Sequence, residues 1–184
     1  MRHRADPEPE ESLVPLLLRL FLFFNACALV LLALRSDVPD SAAAILLPVR
    51  GVSPQELIDS FSDRRDTFRR HRAIDIPAPW GTPVVASDDG VIHRLLESDR
   101  GGLGIYQVDF RSRRCYYYAH LARYAFGLEE GARVSRGDVL GFVGTTGNAS
   151  EDAPHLHFAA YDLEGDGSCF AGTPVNPLTL LISD

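Results

Sequence analysis

The chain contains no lysine: its 18 basic residues are all arginine, so every fixed positive charge is a guanidinium. Positive charge is also in deficit. Against 25 acidic side chains the net charge is -7, which argues against a nucleic-acid partner. Cysteine is scarce, at 3 residues, which excludes a disulfide-dense scaffold and permits one bridge at most. Cys27 lies in an apolar stretch, and Cys115 and Cys169 lie beyond it. The latter two either pair in an oxidising compartment or stay as separate thiols; sequence does not fix their separation. No internal repeat is present, which removes a repeat array from consideration. Long apolar runs are absent but for one near the N-terminus.

A length of 184 residues and a hydrophobic fraction of 46% fit one globular domain with an appendage. Residues 1–11 are polar and read as a tail. Residues 12–35 read as a transmembrane signal anchor. From Leu13 to Leu34 only Arg19 and Asn25 interrupt the apolar character. A helix of that length spans about 33 Å, enough for a hydrocarbon core of about 30 Å. The competing reading is a cleaved signal peptide, with Ala42-Ala43-Ala44 as the small-residue site. The acidic start, and the distance of those alanines from the apolar run, weigh against cleavage. Residues 36–50 read as a linker broken by Pro39 and Pro48, and 51–184 as the folded domain.

Within that domain Ser53-Pro54-Gln55-Glu56 has the form of a capping box with proline at the first helical position. The pattern predicts a short helix from Pro54 to about Phe61. Short β-type runs follow: Thr82–Ser87, Val91–Leu96, Tyr106–Phe110, Cys115–His120, Val139–Val143 and Leu156–Tyr161. Turn signals at Asp88-Asp89-Gly90 and Thr146-Gly147-Asn148 separate them. The expected fold is mainly β, a compact antiparallel sandwich or open barrel with a short helix at its start.

Four of the 6 histidines fall in three motifs. His155-Leu156-His157 lies on a strand-like run, where residues i and i+2 share a face, so both imidazoles project together. His71 and Asp75 stand four apart, on a strand entry or a turn that can bring both to one ion. His120 closes a run in which period two puts Tyr116, Tyr118 and His120 on one face. Each motif alone has an ordinary alternative: half-exposed histidines on a strand, a polar loop, an aromatic edge. His3 and His93 read as surface residues.

Taken in order, HRAID (71–75), PWGTPVVASDDGVI (79–92), YAHL (118–121), GARVSRGDVLGFVGTTGNA (131–149), PHLHF (154–158) and PVNP (174–177) resemble the lysostaphin-type (LytM, M23) zinc metallopeptidases. The resemblance runs from about Leu57 to Pro177. It implies a duplicated-hybrid-motif-like β domain with a groove, Zn2+ as cofactor and peptidoglycan as substrate class. It implies metal ligation by His71, Asp75 and His157. It implies catalytic roles for His120 and His155, either of which serves as general base. The chain departs from the family pattern at Ser62, Ala73, Ala159 and the acidic Ser150-Glu151-Asp152-Ala153, all outside the ligand set.

The arginines at 64, 65, 69, 70 and 72 crowd the first ligand. Guanidinium forks match carboxylates, so Arg69 and Arg70, with Tyr118, are candidate substrate contacts; a solvated loop is the plainer alternative. The anchor and the substrate class together imply an inner-membrane, single-pass envelope endopeptidase with its catalytic domain in the periplasm. Secretion after signal cleavage is the alternative. A regulatory protein partner is left open. Two other classes compete. One is a non-catalytic LytM-type regulator that activates cell-wall amidases, for which the full set of five site residues would be unnecessary. The other is a carrier domain suggested by Gly131–Gly144 alone.

Overall fold

The computed structural model describes residues 44–65, 69–110, 114–163, 169 and 171–181. The chain divides into two units, Met1–Ser41 and Ala42–Asp184. The expected tail at 1–11, the expected membrane segment at 12–35 and the expected linker up to residue 43 lie outside the described residues. No helix among the described residues is long and apolar enough to cross a membrane.

The expectation of a mainly β antiparallel fold is met. Among the described residues nine strands form one sheet, every pairing antiparallel: β1 (Ile74–Pro77), β2 (Pro83–Val85), β3 (Gly90–Ser98), β4 (Gly102–Asp109), β5 (Arg114–Tyr124), β6 (Arg133–Val134), β7 (Val139–Val143), β8 (His155–Asp162) and β9 (Thr173–Val175). The main order is β1-β8-β5-β4-β3-β6. A short helix, α1 (Pro177–Leu181), follows β9.

The hub is β5. Its first part pairs with β8, from Arg114 to Ala119, and its last part pairs with β7, from Leu121 to Tyr124. The change of partner falls at His120, whose φ is 61°. A strand that changes partner at an irregular residue turns a corner in the sheet. The β2–β7 pair thereby adds Val84, Leu140 and Val143 to the core that holds Ile74, Leu156, Phe158, Tyr116 and Tyr118. Full burial of an Ile, Leu or Phe side chain stabilises by roughly 1.5–3 kcal/mol before ordering costs.

Two boundaries differ from the sequence reading. Ile45 and Val49, assigned to the linker, are core residues. Leu46 N–H donates to Ser87 O (2.8 Å), and Val49 bridges Val84. The folded domain therefore begins ahead of Gly51. The helix expected from Pro54 to Phe61 is a single 3-10 turn, Pro54–Glu56. The capping contact does form, with Ser53 N–H donating to Glu56 Oε2 (2.6 Å), but Leu57 is already extended (ψ 138°). Leu57 leaves the turn to pack on the core, while Ile58 is exposed. Asp59 Oδ1 accepts the Phe61 N–H (3.1 Å), a local bond that competes with helix.

Cys115 and Cys169 form a disulfide, which resolves the alternatives that sequence left open. The bridge ties the segment after β8 to the start of β5.

Candidate functional site

Sheet register builds the site. Asp75 on β1 lies opposite His157 on β8, and Pro77 lies opposite His155. On its other side His157 faces Ala119 of β5. His71, just before β1, completes a cluster in which one donor atom each from His71, Asp75 and His157 lies within 4.8 Å of the others. Asp75 Oδ1 is 3.1 Å from His157 Nδ1 and 3.1 Å from His71 Nε2, and the two imidazole nitrogens are 3.0 Å apart.

Three of the four imidazoles are oriented from behind. His71 Nδ1–H donates to Ser60 O (3.1 Å), which leaves the Nε2 lone pair facing the cluster. His155 Nδ1–H donates to Ala153 O (2.8 Å), and His120 Nδ1–H to Thr146 O (2.8 Å). Their Nε2 atoms are the proton acceptors that remain. The His120 ring centroid is 4.9 Å from that of His155 and 5.7 Å from that of His157. His155 Nε2 is 3.9 Å from Asp75 Oδ1.

Burial pushes Asp75 upward, but hydrogen bonds to His157 and His71, the His71 charge and the Arg65 hydrogen bond outweigh it. The carboxyl is held well below the usual carboxylate range, fully ionised. Burial also lowers His157. His120 is lowered to about 4, chiefly by burial; its bond to Thr146 O opposes that, and the neighbouring imidazoles add to it. An ionised carboxylate oxygen and imidazole nitrogens are the donor types of a divalent zinc site. The cluster already draws a cation: Arg65 pairs with Asp75 Oδ2, and its Nη2 is 2.7 Å from His71 Nε2. Zinc fits this set in donor type, and the His71 ring is already oriented for it from behind.

Residues 69–177 match Peptidase family M23. The chain belongs to that family. M23 peptidases are zinc metallopeptidases, and this chain carries the His-Asp-His group such an ion requires. Among its relatives is the DD-carboxypeptidase/endopeptidase Mpg of Neisseria meningitidis serogroup B, 40% identical over 117 residues, covering 63% of this chain and 24% of the relative. The L-Ala--D-Glu endopeptidase of Bacillus subtilis is 34% identical over 104 residues, covering 53% and 31%. The chain thus spans a quarter to a third of the length of these curated relatives. The catalytic domain of lysostaphin from Staphylococcus simulans is similar in structure: TM-score 0.55, 29% identity, 65% of this chain and 85% of that one.

The M23 domain opens a cleft of about 520 Å³ over the cluster, lined by His71, Asp75, His120, His155 and His157 together. All five histidine and aspartate positions singled out in the sequence converge there. The three candidate substrate contacts divide. Arg69 lines the cleft, but Arg70 donates to Ser62 O (2.9 Å) and is not among the lining residues. Tyr118 is fully buried; its hydroxyl donates to Gln107 Oε1 (2.6 Å) and accepts from Ser87 N–H (3.0 Å). It is a core residue.

The period-two reading of β5 failed for a local reason. The positive φ of His120 breaks the alternation, so His120 joins Tyr117 at the cleft while Tyr116 and Tyr118 face the core. Tyr117 stacks on Tyr106 (4.5 Å) and meets the His157 ring edge-on (6.1 Å). Burial pushes the Tyr117 hydroxyl up to about 12, so it stays a neutral donor.

Two glycines hold His120 in place. Gly102 (φ 60°) and Gly147 (φ 74°) meet back to back: a Cβ on Gly147 would lie 2.3 Å from Gly102 N and 2.4 Å from Arg100 O. Only with both side chains absent does the Thr146 carbonyl reach His120 Nδ1. Arg100, Tyr106, Tyr117 and Tyr161 line the cleft and were missed by sequence reasoning. Only the Thr146-Gly147 turn signal hinted at this wall.

Proposed function

We propose that this chain is a zinc-dependent endopeptidase that hydrolyses peptide bonds in peptidoglycan stems or cross-bridges. One observation carries the proposal. Three lone-pair donors converge within 4.8 Å, and two further imidazoles present Nε2 to the same cleft. Two curated relatives bear endopeptidase names, which supports the reaction class.

His71 Nε2, Asp75 and His157 Nδ1 would hold the zinc. Zinc bound there acidifies water and polarises a peptide carbonyl. The protein supplies the rest. His155 is assigned the proton transfer, because its Nε2 lies beside the ligands and its Nδ1–H is fixed on Ala153 O. An imidazole so placed takes a proton from water at Nε2 and returns it to the leaving amine. His120 stays neutral because it is buried, so it adds no positive charge next to a divalent ion. Its Nε2 shares in positioning the water.

The proposal extends to location. We place residues 12–35 as a membrane anchor, or a cleaved signal, ahead of a periplasmic domain. The Cys115–Cys169 bridge supports an oxidising compartment. The non-catalytic regulator is the reading to exclude. Metal analysis of the purified chain should find about one zinc per chain. A folded protein with no affinity for zinc would overturn the enzyme reading in favour of the regulator.

A further inference from the structure

The chain is acidic overall, yet its cleft is not. Among the described residues, three guanidiniums line the cleft: Arg65, Arg69 and Arg100. The only acidic side chain among the described residues there is Asp75, a candidate metal ligand. Glu97 and Asp99 flank Ser98, but Ser98 and Arg100 line the cleft and the two acids do not. A local reversal of charge sign in a concave site selects for an anionic ligand.

The backbone of Arg100 is fixed at the cleft wall. Its carbonyl accepts the Asn148 N–H (3.0 Å) beside the Gly102–Gly147 contact, and Ser98 Oγ accepts the Gly101 N–H (3.0 Å). The β3–β4 turn therefore fixes its Cα on the cleft wall that also supports His120. Arg65 already engages a carboxylate, that of Asp75. A guanidinium and a divalent cation cannot both occupy the His71–Asp75–His157 cluster, because like charges at that range repel strongly. A metal ion in the cluster would displace the Arg65 guanidinium from Asp75 and leave it to pair with another anion in the cleft.

We propose that Arg65 and Arg100, with Arg69 at the rim, form a carboxylate-binding subsite. The favoured substrate then carries a free carboxylate near the bond to be cut, whether a chain-terminal or a side-chain carboxylate. A neutral, glycine-like bridge is disfavoured. This rests on the endopeptidase reading and adds the substrate's charge to it. Guanidinium forks bind carboxylates with two parallel hydrogen bonds, which an amide of the same shape does not accept equally.

The test uses synthetic cross-linked stem peptides made in three forms: free acid, C-terminal amide and side-chain amide. With the zinc-loaded full chain, the free acid should exceed at least one amide by about tenfold or more in kcat/KM, mostly through KM, as expected when a charge-assisted hydrogen bond is lost. The amide that loses identifies which carboxylate is read. In Arg100→Gln and in Arg65→Gln the ratio between that pair should collapse towards one. Zinc content, measured in parallel, separates loss of the subsite from loss of metal. Equal kcat/KM for all three forms overturns the subsite, and so does a ratio that both variants preserve. Binding is read independently by calorimetric titration of the three peptides into the His155→Ala variant. If the wild-type chain cuts none of the peptides but this titration still favours the free acid, the endopeptidase reading fails and the subsite stands. Equal affinities in the titration overturn the subsite.

Discussion

Asp75 and His157 are direct cross-strand partners, and the register between β1 and β8 sets their side chains 3.1 Å apart. Register is the device that makes this site. A slip of one residue would send either side chain to the opposite face. The first prediction follows. Asp75→Ala should abolish stoichiometric zinc binding, since the remaining imidazoles lack the charged ligand. Metal analysis after dialysis checks it. Retention of a full equivalent of zinc would show that the ion binds elsewhere.

His155 is held by Ala153 O and lies at the edge of the ligand cluster, outside it. His155→Ala should therefore keep the fold and the zinc. Turnover should fall by about 10²–10⁴, the range for losing a positioned acid–base group. Full activity in that variant would remove His155 from proton transfer.

His120 gives a pH prediction. Its folded value is lowered to about 4, against about 6.5 for an unfolded histidine. The unfolded state thus binds more protons between those values. The stabilisation from keeping His120 neutral is present above pH 6.5, and it is lost as pH falls towards 4. The full effect is about 3–4 kcal/mol, one pKa unit being about 1.4 kcal/mol. Denaturant titrations of the metal-free protein from pH 7.5 to 4.5 should show this loss, and His120→Gln should flatten it. An identical pH slope in both proteins would contradict the assignment.

The disulfide closes a loop with a sequence separation of 54 residues. Replacing Cys115 and Cys169 together by alanine should cost about 2–4 kcal/mol. Chemical denaturation of oxidised, reduced and variant protein measures the difference. Unchanged midpoints would mean that the bridge adds nothing to stability.

Most of the ligand set was legible because its chemistry is local in sequence. His71 and Asp75 stand four apart, and His155 and His157 two apart on a strand. The strands themselves followed from apolar runs between turn signals. What escaped depended on non-local geometry. Tyr118 was misplaced because alternation fails at a residue with positive φ, and nothing in Tyr-Ala-His-Leu announces that conformation. Arg100 was missed because its place at the cleft comes from two glycines 45 positions apart, Gly102 and Gly147, meeting across the sheet. Ile45 and Val49 looked like linker because their partners, Leu180 and Val84, are distant in the chain. The short helix gave way to Leu57, whose burial outweighs local propensity.

The central claim is hydrolysis of peptidoglycan peptide bonds at the His71–Asp75–His157 cleft. Its most direct test is incubation of the zinc-loaded protein with purified peptidoglycan, followed by separation of the muropeptides. Cross-linked species should fall and their peptide-cleaved products should rise, in parallel with zinc content and not in the Asp75→Ala variant. An unchanged muropeptide profile from folded, zinc-loaded protein would contradict the account.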